Sequence, residues 1–235
     1  ARQIDEADTL FAQANELKPR GLYLAWRAHV REIQLVARIS SDASALKEES
    51  EMLLRRAFEI EPANSMVLAL LAINRLHVAA EIDISLQFAR RAVNANYGNA
   101  MAWWALSATH LKSDNPTNAY GCARMAVNLS FGTPLEFWTQ RQLSGAAMAL
   151  RKLPEAKVWL KNVSFGRPSF RPPLRYLLAL HATNEEWEDA VAAAERLKEL
   201  EQGFSIDQLA NDRNYPVSLL HRPYGLSRER IQSLI

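Results

Sequence analysis

The sequence contains little glycine and only one cysteine. Its 8 glycines in 235 residues fall below the usual share of about 7%, which favours helices over turn-rich sheet folds. The single cysteine, Cys122, cannot form a disulfide bond within the chain, and this suits a reducing compartment. We therefore predict a helical protein of the cytoplasm.

Long apolar segments are also absent from the sequence. The longest apolar run, Met66–Ile73, is far shorter than the roughly 20 residues that cross a membrane. The opening residues, Ala1–Glu6, contain no apolar core of the kind that a signal peptide has. We expect neither a membrane-spanning helix nor a signal peptide, and hence no membrane partner.

The sequence lacks the motifs that carry common catalytic and cofactor chemistry. The five histidines form no H-E-x-x-H pair and have no C-x-x-C companion, so we expect no metal site. No G-x-x-x-x-G-K-[ST] or G-x-G-x-x-G loop is present to hold a nucleotide phosphate. We predict no enzymatic activity and no cofactor, and we interpret His110 and His181 as side chains packed inside the fold.

What the sequence does contain is a recurring pattern of small residues. In Ala100–Phe131, Ser113–Pro116 interrupts a helix, and Ala119, Ala123 and Ala126 then share one face of a second helix. The same pattern ends at six positions whose numbers differ by 43, 35, 34, 37 and 34: Pro19, Pro62, Tyr97, Phe131, Pro168 and Gln202. The repeated unit is therefore a helix–turn–helix with a period of about 34 residues.

These residues resemble a tetratricopeptide-repeat (TPR) array, which has the same period and the same unit. Trp103 and Leu106 keep the first-helix pattern of that family best. The resemblance implies an all-α, right-handed superhelical solenoid of helix–turn–helix repeats. We predict a C-terminal cap at 205–235 and, before it, the second helix of an incomplete first repeat at 6–19 with five repeats near 21–64, 65–99, 100–133, 134–170 and 171–204.

The two ends of the chain suggest a regulatory context. A second helix without its first helix leaves an apolar face uncovered, so we expect the chain to belong to a longer protein. The C-terminal segment has Phe204-Ser205 before a short helix, Ile206–Asn211, and Tyr215-Pro216 after it. It is similar to the ends of the repeat regions of bacterial adenylate cyclases and winged-helix transcription regulators.

The TPR resemblance also implies that the first helices line a concave groove. Trp26, Trp104 and Trp138 fall at one equivalent position, beside the position that packs the core. Aromatic and Met side chains on such a face give the contact area that a bound peptide or helix needs. The predicted groove residues are Tyr23, Trp26, Met66, Ile73, His77, Met101, Trp104, Lys112, Trp138, Gln142 and Arg175.

Within this groove hypothesis, Trp103 packs the core and Trp104 faces the ligand. Lys112 and Arg175 select acidic or C-terminal carboxylate groups of that ligand. The alternative is that the tryptophan rings pack against other parts of the protein itself.

Positive charge gathers in the middle of the chain, where residues 65–180 contain thirteen Lys and Arg against five Asp and Glu. A basic and aromatic stretch, Ser164–Pro173, favours an acidic protein surface or nucleic acid as its partner. Because no nucleic-acid-binding fold is indicated, we interpret this charge as a solvated face and expect no nucleic-acid partner.

These observations predict a protein-interaction or regulatory module, part of a larger bacterial signalling or transcription-regulatory protein. Its partner would be another protein or a segment of the parent protein. The alternative is a small-molecule-sensing domain that uses the same groove, and self-association into a homodimer stays open.

Overall fold

The computed structural model describes residues 2–36, 42–212, 220, 222 and 225–234. These residues form thirteen helices and no strand. Every helix described is too short or too polar to span a membrane. The predicted all-α helical-repeat solenoid is therefore confirmed. The helices are α1 (Arg2–Leu17), α2 (Gly21–Val36), α3 (Ala43–Ile60), α4 (Ser65–His77), α5 (Ile82–Ala95), α6 (Ala100–Lys112), α7 (Pro116–Ser130), α8 (Glu136–Ala149), α9 (Leu153–Gly166), α10 (Arg171–Thr183), α11 (Trp187–Leu200), α12 (Ile206–Asn211) and α13 (Arg228–Gln232).

The chain divides into two compact units, residues 1–129 (unit 1) and 130–235 (unit 2). In unit 1, α2 packs on α3 and α4 packs on α5, and the first helices α2, α4 and α6 also contact one another in sequence. In unit 2, α8 packs on α9 and α10 packs on α11. Each unit is thus a stack of helix pairs, with the first helices of unit 1 forming a layer of their own.

Small residues form the contact between the helices of each pair. Ala89, Ala119, Ala123, Ala156 and Ala190, which belong to the repeated sequence pattern, are completely inaccessible to solvent. A larger side chain at these positions would push the neighbouring helix away, because protein interiors are close-packed. The spacing of small residues in the sequence therefore marks the buried face of each second helix.

Buried serine hydroxyls join the two helices of a pair at the same contact. The hydroxyl of Ser50 donates to the carbonyl of Ala28 at 3.1 Å, and that of Ser85 donates to the carbonyl of Ala72 at 2.8 Å. Ser107 donates in the same way from α6 to a carbonyl of α7 at 2.8 Å. These bonds satisfy hydroxyl groups that are fully buried.

Four of the turns within pairs share one backbone conformation. Ala80, Asp114, Arg151 and Glu185 have φ of 56 to 61°, and their numbers differ by 34, 37 and 34. The residue after each of the last three donates its N–H to a carbonyl five residues earlier at 2.9 Å, which is the bond of a Schellman C-cap with one left-handed residue. After Ala80 the corresponding bond, at 2.8 Å, reaches one residue further back. The predicted break at Ser113–Pro116 is one of these turns.

Ion pairs hold α1 against the following helix pair. The carboxylate of Asp8 accepts from Nε of Arg27 at 3.0 Å and from Nη2 of Arg31 at 2.7 Å. Arg31 also donates from Nε to Glu49 of α3 at 2.7 Å. The charged groups compensate for the shallow packing of α1, whose Ala7 and Ala14 stay half-buried.

Of the C-terminal helices, α13 packs on α10 and α12 packs on α13. Ile231 of α13 and Leu209 of α12 are fully buried, and the backbone N–H of Ser227 donates to Oγ1 of Thr183 at 2.9 Å. The guanidinium of Arg230 donates to the carbonyl of Thr183. Helix α12 coincides with the predicted short helix, whereas the predicted turn at Tyr215-Pro216 lies outside the described residues. The division into repeats and cap remains a prediction.

Candidate functional site

The predicted groove residues of unit 1 differ widely in exposure. Tyr23, Trp26 and Met66 are half-buried, Lys112 is exposed, and the side chain of His77 is 29% exposed. By contrast, Ile73, Met101 and Trp104 are only 1 to 4% exposed. The expectation that all of these side chains face a ligand therefore needs correction, because Ile73, Met101 and Trp104 belong to the core of unit 1.

The predicted groove residues of unit 2 are mostly buried too. Trp138 is half-buried, whereas Gln142 is 2% exposed and Arg175 is 5% exposed. The guanidinium of Arg175 donates to Oε2 of Glu201 from Nε at 3.1 Å and from Nη2 at 2.7 Å. A carboxylate of the protein thus already pairs with the guanidinium that we expected to bind a carboxylate of the ligand.

The two adjacent tryptophans of α6 have the opposite exposure from that predicted. Trp104 is 4% exposed, whereas Trp103 is half-buried. The indole Nε1 of Trp103 donates to the carbonyl of Tyr97 at 2.8 Å, and its ring meets the Tyr97 ring edge-on at 4.9 Å. Trp103 therefore packs on the loop before α6, and Trp104 packs inside.

A buried carboxylate with two imidazoles is the most specific arrangement on the first helices. Glu32 of α2 is 3% exposed, and its Oε2 lies 3.1 Å from Nδ1 of His29. Its Oε1 lies 2.6 Å from Nδ1 of His77, at the end of α4. Three side chains from two neighbouring first helices thus form one hydrogen-bonded cluster, the His–Glu–His cluster.

The carboxylate of this cluster is ionised. Burial alone would raise the pKa of Glu32, but the charges and hydrogen bonds of His29 and His77 outweigh burial and lower its pKa to about 2. An ionised carboxylate can only accept hydrogen bonds, so Nδ1 of each imidazole is the donor. The other ring nitrogen, Nε2, is then left to face away from Glu32.

Aromatic rings stand on both sides of the cluster. The ring of Trp26 is stacked on Phe11 at 6.0 Å and meets His29 edge-on at 5.8 Å. The ring of His77 meets Trp104 edge-on at 6.1 Å. We call Trp26, His29, Glu32, His77 and Trp104 the aromatic–histidine row, which crosses α2, α4 and α6 within unit 1.

Sequence reasoning found Trp26, His77 and Trp104 of this row but missed His29 and Glu32. The spacing of three residues between His29 and Glu32 places both on one face of α2, and this signal was available. The link from Glu32 to His77 crosses 45 positions of sequence. It depends on how α2 packs on α4, which no local pattern reveals.

A second histidine cluster lies in unit 2. Nδ1 of His181, a buried residue as predicted, is 2.5 Å from Oε2 of Glu186 and 3.3 Å from Oδ2 of Asp189. These three groups have the spacing of metal ligands. However, the ammonium group of Lys157 binds the same oxygen of Glu186, and this hydrogen bond lowers the pKa of Glu186. The ammonium group of Lys157 thus occupies the position that a metal ion would take. We therefore describe the cluster as a set of ion pairs at the end of α10.

Two surface cavities in the described part of the chain are lined by side chains other than the predicted groove residues. One, of about 290 Å³, lies between α3, α4 and α5 and is lined by Phe58, Leu71 and Phe88 among others. The other, of about 430 Å³, lies in unit 2 near Phe137 and Phe165. Neither of these cavities borders the aromatic–histidine row.

Solved structures share this arrangement of paired helices. They include a chain of the APC/C heterotetramer Cut9–Hcn1, with a TM-score of 0.70 and 12% identity over 94% of this chain and 40% of that chain. Pseudomonas aeruginosa PilF has a TM-score of 0.61 and 17% identity over 99% of this chain and 90% of that chain. YrrB, a TPR protein with an unusual peptide-binding site, has a TM-score of 0.50 and 15% identity over 82% of this chain and 93% of that chain. The fold is that of a tetratricopeptide-repeat array.

This TPR array spans about two fifths of the Cut9–Hcn1 chain that it matches. No family model and no curated protein sequence matches it. At identities of 12 to 17%, these likenesses show the fold alone.

Proposed function

We propose that this TPR array is a protein-interaction module, and that the aromatic–histidine row of unit 1 binds a peptide segment of another protein. The observation that carries the proposal is the buried, ionised carboxylate of Glu32, which orients the partly exposed imidazole of His77. A side chain that is fixed before binding loses little conformational entropy when a partner arrives.

Each member of the row has a role in this proposal. Trp26 offers an apolar ring that Phe11 and His29 hold in place. His77 offers Nε2 as a hydrogen-bonding group, and Trp104 supports its ring from the core side. Tyr23, Met66 and Lys112 remain as proposed contacts at the edge of this surface. Such a combination of one aromatic anchor and one oriented polar group is typical of binding surfaces.

The residues of unit 2 take a smaller part in the proposal. Trp138 stays a proposed contact, whereas Arg175 stabilises the fold through Glu201. The regulatory role in a larger signalling or transcription-regulatory protein depends on the sequence resemblance alone, and the proposed cytoplasmic location depends on the single cysteine. The small-molecule alternative gains no support, because neither cavity includes a groove residue. YrrB supports peptide binding as a use of this fold.

A peptide selection tests the proposed function. A phage-displayed library of random peptides is selected on the wild-type protein, and the enriched peptides are titrated by fluorescence anisotropy. We expect His77→Ala and Trp26→Ala each to weaken binding by about tenfold or more. His110→Ala is the matched control, because His110 is a half-buried histidine of α6 outside the row.

The proposal predicts that His110→Ala leaves the affinity unchanged. Enriched peptides that bind His77→Ala and Trp26→Ala as tightly as the wild type would show that the row is not the binding surface. A selection without enriched peptides would argue against peptide binding altogether. Thermal unfolding of every variant separates loss of binding from loss of fold.

A further inference from the structure

An exposed aromatic surface lies in unit 2, apart from the aromatic–histidine row. It borders the cavity of about 430 Å³, which the α7–α8 connection, α8 and the C-terminal end of α9 form together. Phe137, Phe165 and Arg167 all line this cavity, and the side chain of Phe165 is 92% exposed. We call these three residues the Phe165 surface. A ring that is held in water at the edge of a cavity is a feature of docking sites.

The inner part of this surface is held by contacts between rings. The ring of Phe137 contacts Trp138 at 5.3 Å and Phe170 edge-on at 5.2 Å. The guanidinium of Arg167 lies over the Phe137 ring at 5.1 Å from its centroid. Arg167 is thus held beside Phe165 with its charge at the surface, because stacking on Phe137 restricts its rotamers.

Arg167 and Lys161 make the Phe165 surface positively charged. Residues 130–175 contain eight Lys and Arg, of which Lys157 and Arg175 pair with Glu186 and Glu201, and two carboxylates, Glu136 and Glu155. The carboxylate of Glu136 accepts from the backbone N–H of Gly132 at 3.1 Å and from Nε2 of Gln140 at 2.8 Å. Among the described residues, Arg167 and Lys161 have no carboxylate within ion-pair distance. Lys161 precedes Phe165 by one helical turn and shares its face of α9.

We propose that the Phe165 surface binds an acidic segment of another protein that carries a large apolar side chain. The apolar side chain packs on Phe165 at the mouth of the cavity, and the carboxylates of the segment pair with Arg167 and Lys161. Complementary charge gives such a contact its specificity and its association rate, while the buried ring gives it affinity. This proposal is independent of the row in unit 1.

The geometry favours an acidic peptide over nucleic acid as the occupant. Base stacking needs an open ring face, but Arg167 covers Phe137, and Trp138 and Phe170 flank that ring. Of the two rings in the Phe165 surface, only that of Phe165 is uncovered, which is too little for the successive stacked bases of a nucleic-acid strand.

Anisotropy titrations with three labelled peptides test the proposal. The probes are a short fluorescein-labelled peptide of glutamate, leucine and glycine, and two counterparts in which lysine or glutamine replaces every glutamate. We expect the acidic peptide to bind most tightly, and Phe165→Ala and Arg167→Glu each to weaken it by about tenfold or more. Val158→Ala, an exposed position of the same helix, is the matched control and leaves the affinity unchanged.

Every other outcome overturns the proposal. These are failure of the acidic peptide to bind, equal binding of the lysine peptide, and unchanged affinity in both variants. Labelled oligo-dT is titrated in parallel, and tighter binding of oligo-dT through Phe165 and Arg167 would assign the surface to nucleic acid. Both substituted side chains are exposed, so thermal unfolding should show that the variants keep the fold.

Discussion

Trp103 and Trp104 are neighbours in sequence, yet they contribute differently to the structure of α6. Trp104 is 4% exposed and touches the ring of His77, whereas Trp103 covers the loop at Tyr97. Burial of a whole indole stabilises a fold far more than partial burial does, since the free energy gained grows with the apolar area removed from water.

We therefore predict that Trp104→Ala lowers the free energy of unfolding by about 4 kcal/mol, while Trp103→Ala lowers it by about 1 kcal/mol. Urea unfolding followed by circular dichroism measures both. An equal cost for the two variants, or a larger cost at Trp103, would contradict the burial that the structure assigns to these rings.

Glu32 links the stability of unit 1 to acid pH. Its usual pKa of 4.5 applies to the unfolded chain, and in the folded protein the pKa falls to about 2. A carboxyl with a lowered pKa stabilises the fold above its unfolded pKa, and this stabilisation is lost as the pH falls from 4.5 towards 2. The shift corresponds to about 3 kcal/mol.

We predict that Glu32→Gln removes most of this acid sensitivity. The variant should be less stable than the wild type at neutral pH by about 3 kcal/mol, because the two imidazoles lose the charged acceptor that they share and one of them then faces the amide NH2 group. The difference should shrink as the pH falls from 4.5 towards 2. Urea unfolding of both proteins over this pH range measures the difference in stability. A difference that stays constant with pH would show that Glu32 is not the titrating group.

The aromatic–histidine row shows how far sequence alone reaches at the level of residues. Nearly every residue from Ala100 to Thr109 is buried, so α6 has no solvent face that would tell Trp103 from Trp104 by periodicity. Trp26 and His77 could be singled out as first-helix residues, but their exposure depends on Phe11 and Glu32, which contact them from other helices.

At the level of elements, the turns within the helix pairs use an unfavourable backbone conformation repeatedly. Ala80, Asp114, Arg151 and Glu185 all adopt a positive φ, a region that costs a residue with a Cβ atom about 1 kcal/mol. Glycine takes this conformation without that cost. The backbone hydrogen bond that the following residue donates to the preceding helix holds each turn in place nonetheless.

We predict that Ala80→Gly stabilises the protein by about 0.5 kcal/mol, since relief of strain exceeds the added flexibility of the unfolded chain. Ala192→Gly, the same substitution at an exposed position inside α11, should destabilise it by about 1 kcal/mol. If the turn is strained, thermal melts should show a higher melting temperature for Ala80→Gly and a lower one for Ala192→Gly than for the wild type. A loss of stability in both would show that the left-handed turn is not strained.

The helices could be located from the sequence, whereas the conformation of the turns between them could not. Pro116 and the period of about 34 residues located α6, α7 and their repeats, because a proline and a buried alanine face leave local signals. The turn residues themselves are Ala, Asp, Arg and Glu. They share no side-chain property, so the sequence contained no sign of their common conformation.

At the level of the whole molecule, the array contains two units, each with a core of its own. Leu54 of α3 is 1% exposed within unit 1, and Leu178 of α10 is fully buried within unit 2. In repeat proteins each helix pair contacts only its neighbours, so a defect in one pair lowers local stability first. Damage to one core should therefore stay within its unit.

We predict that Leu54→Ala and Leu178→Ala each lower the free energy of unfolding by about 3 kcal/mol, the first within unit 1 and the second within unit 2. Hydrogen exchange followed by mass spectrometry should show faster exchange of the α2–α5 amides in Leu54→Ala, with α10 and α11 unchanged, and the reverse in Leu178→Ala. The substitutions are chemically identical, so each variant is the control for the other. If both variants raise exchange equally along the whole chain, the array unfolds as one cooperative body, and the division at residue 129 has no energetic meaning.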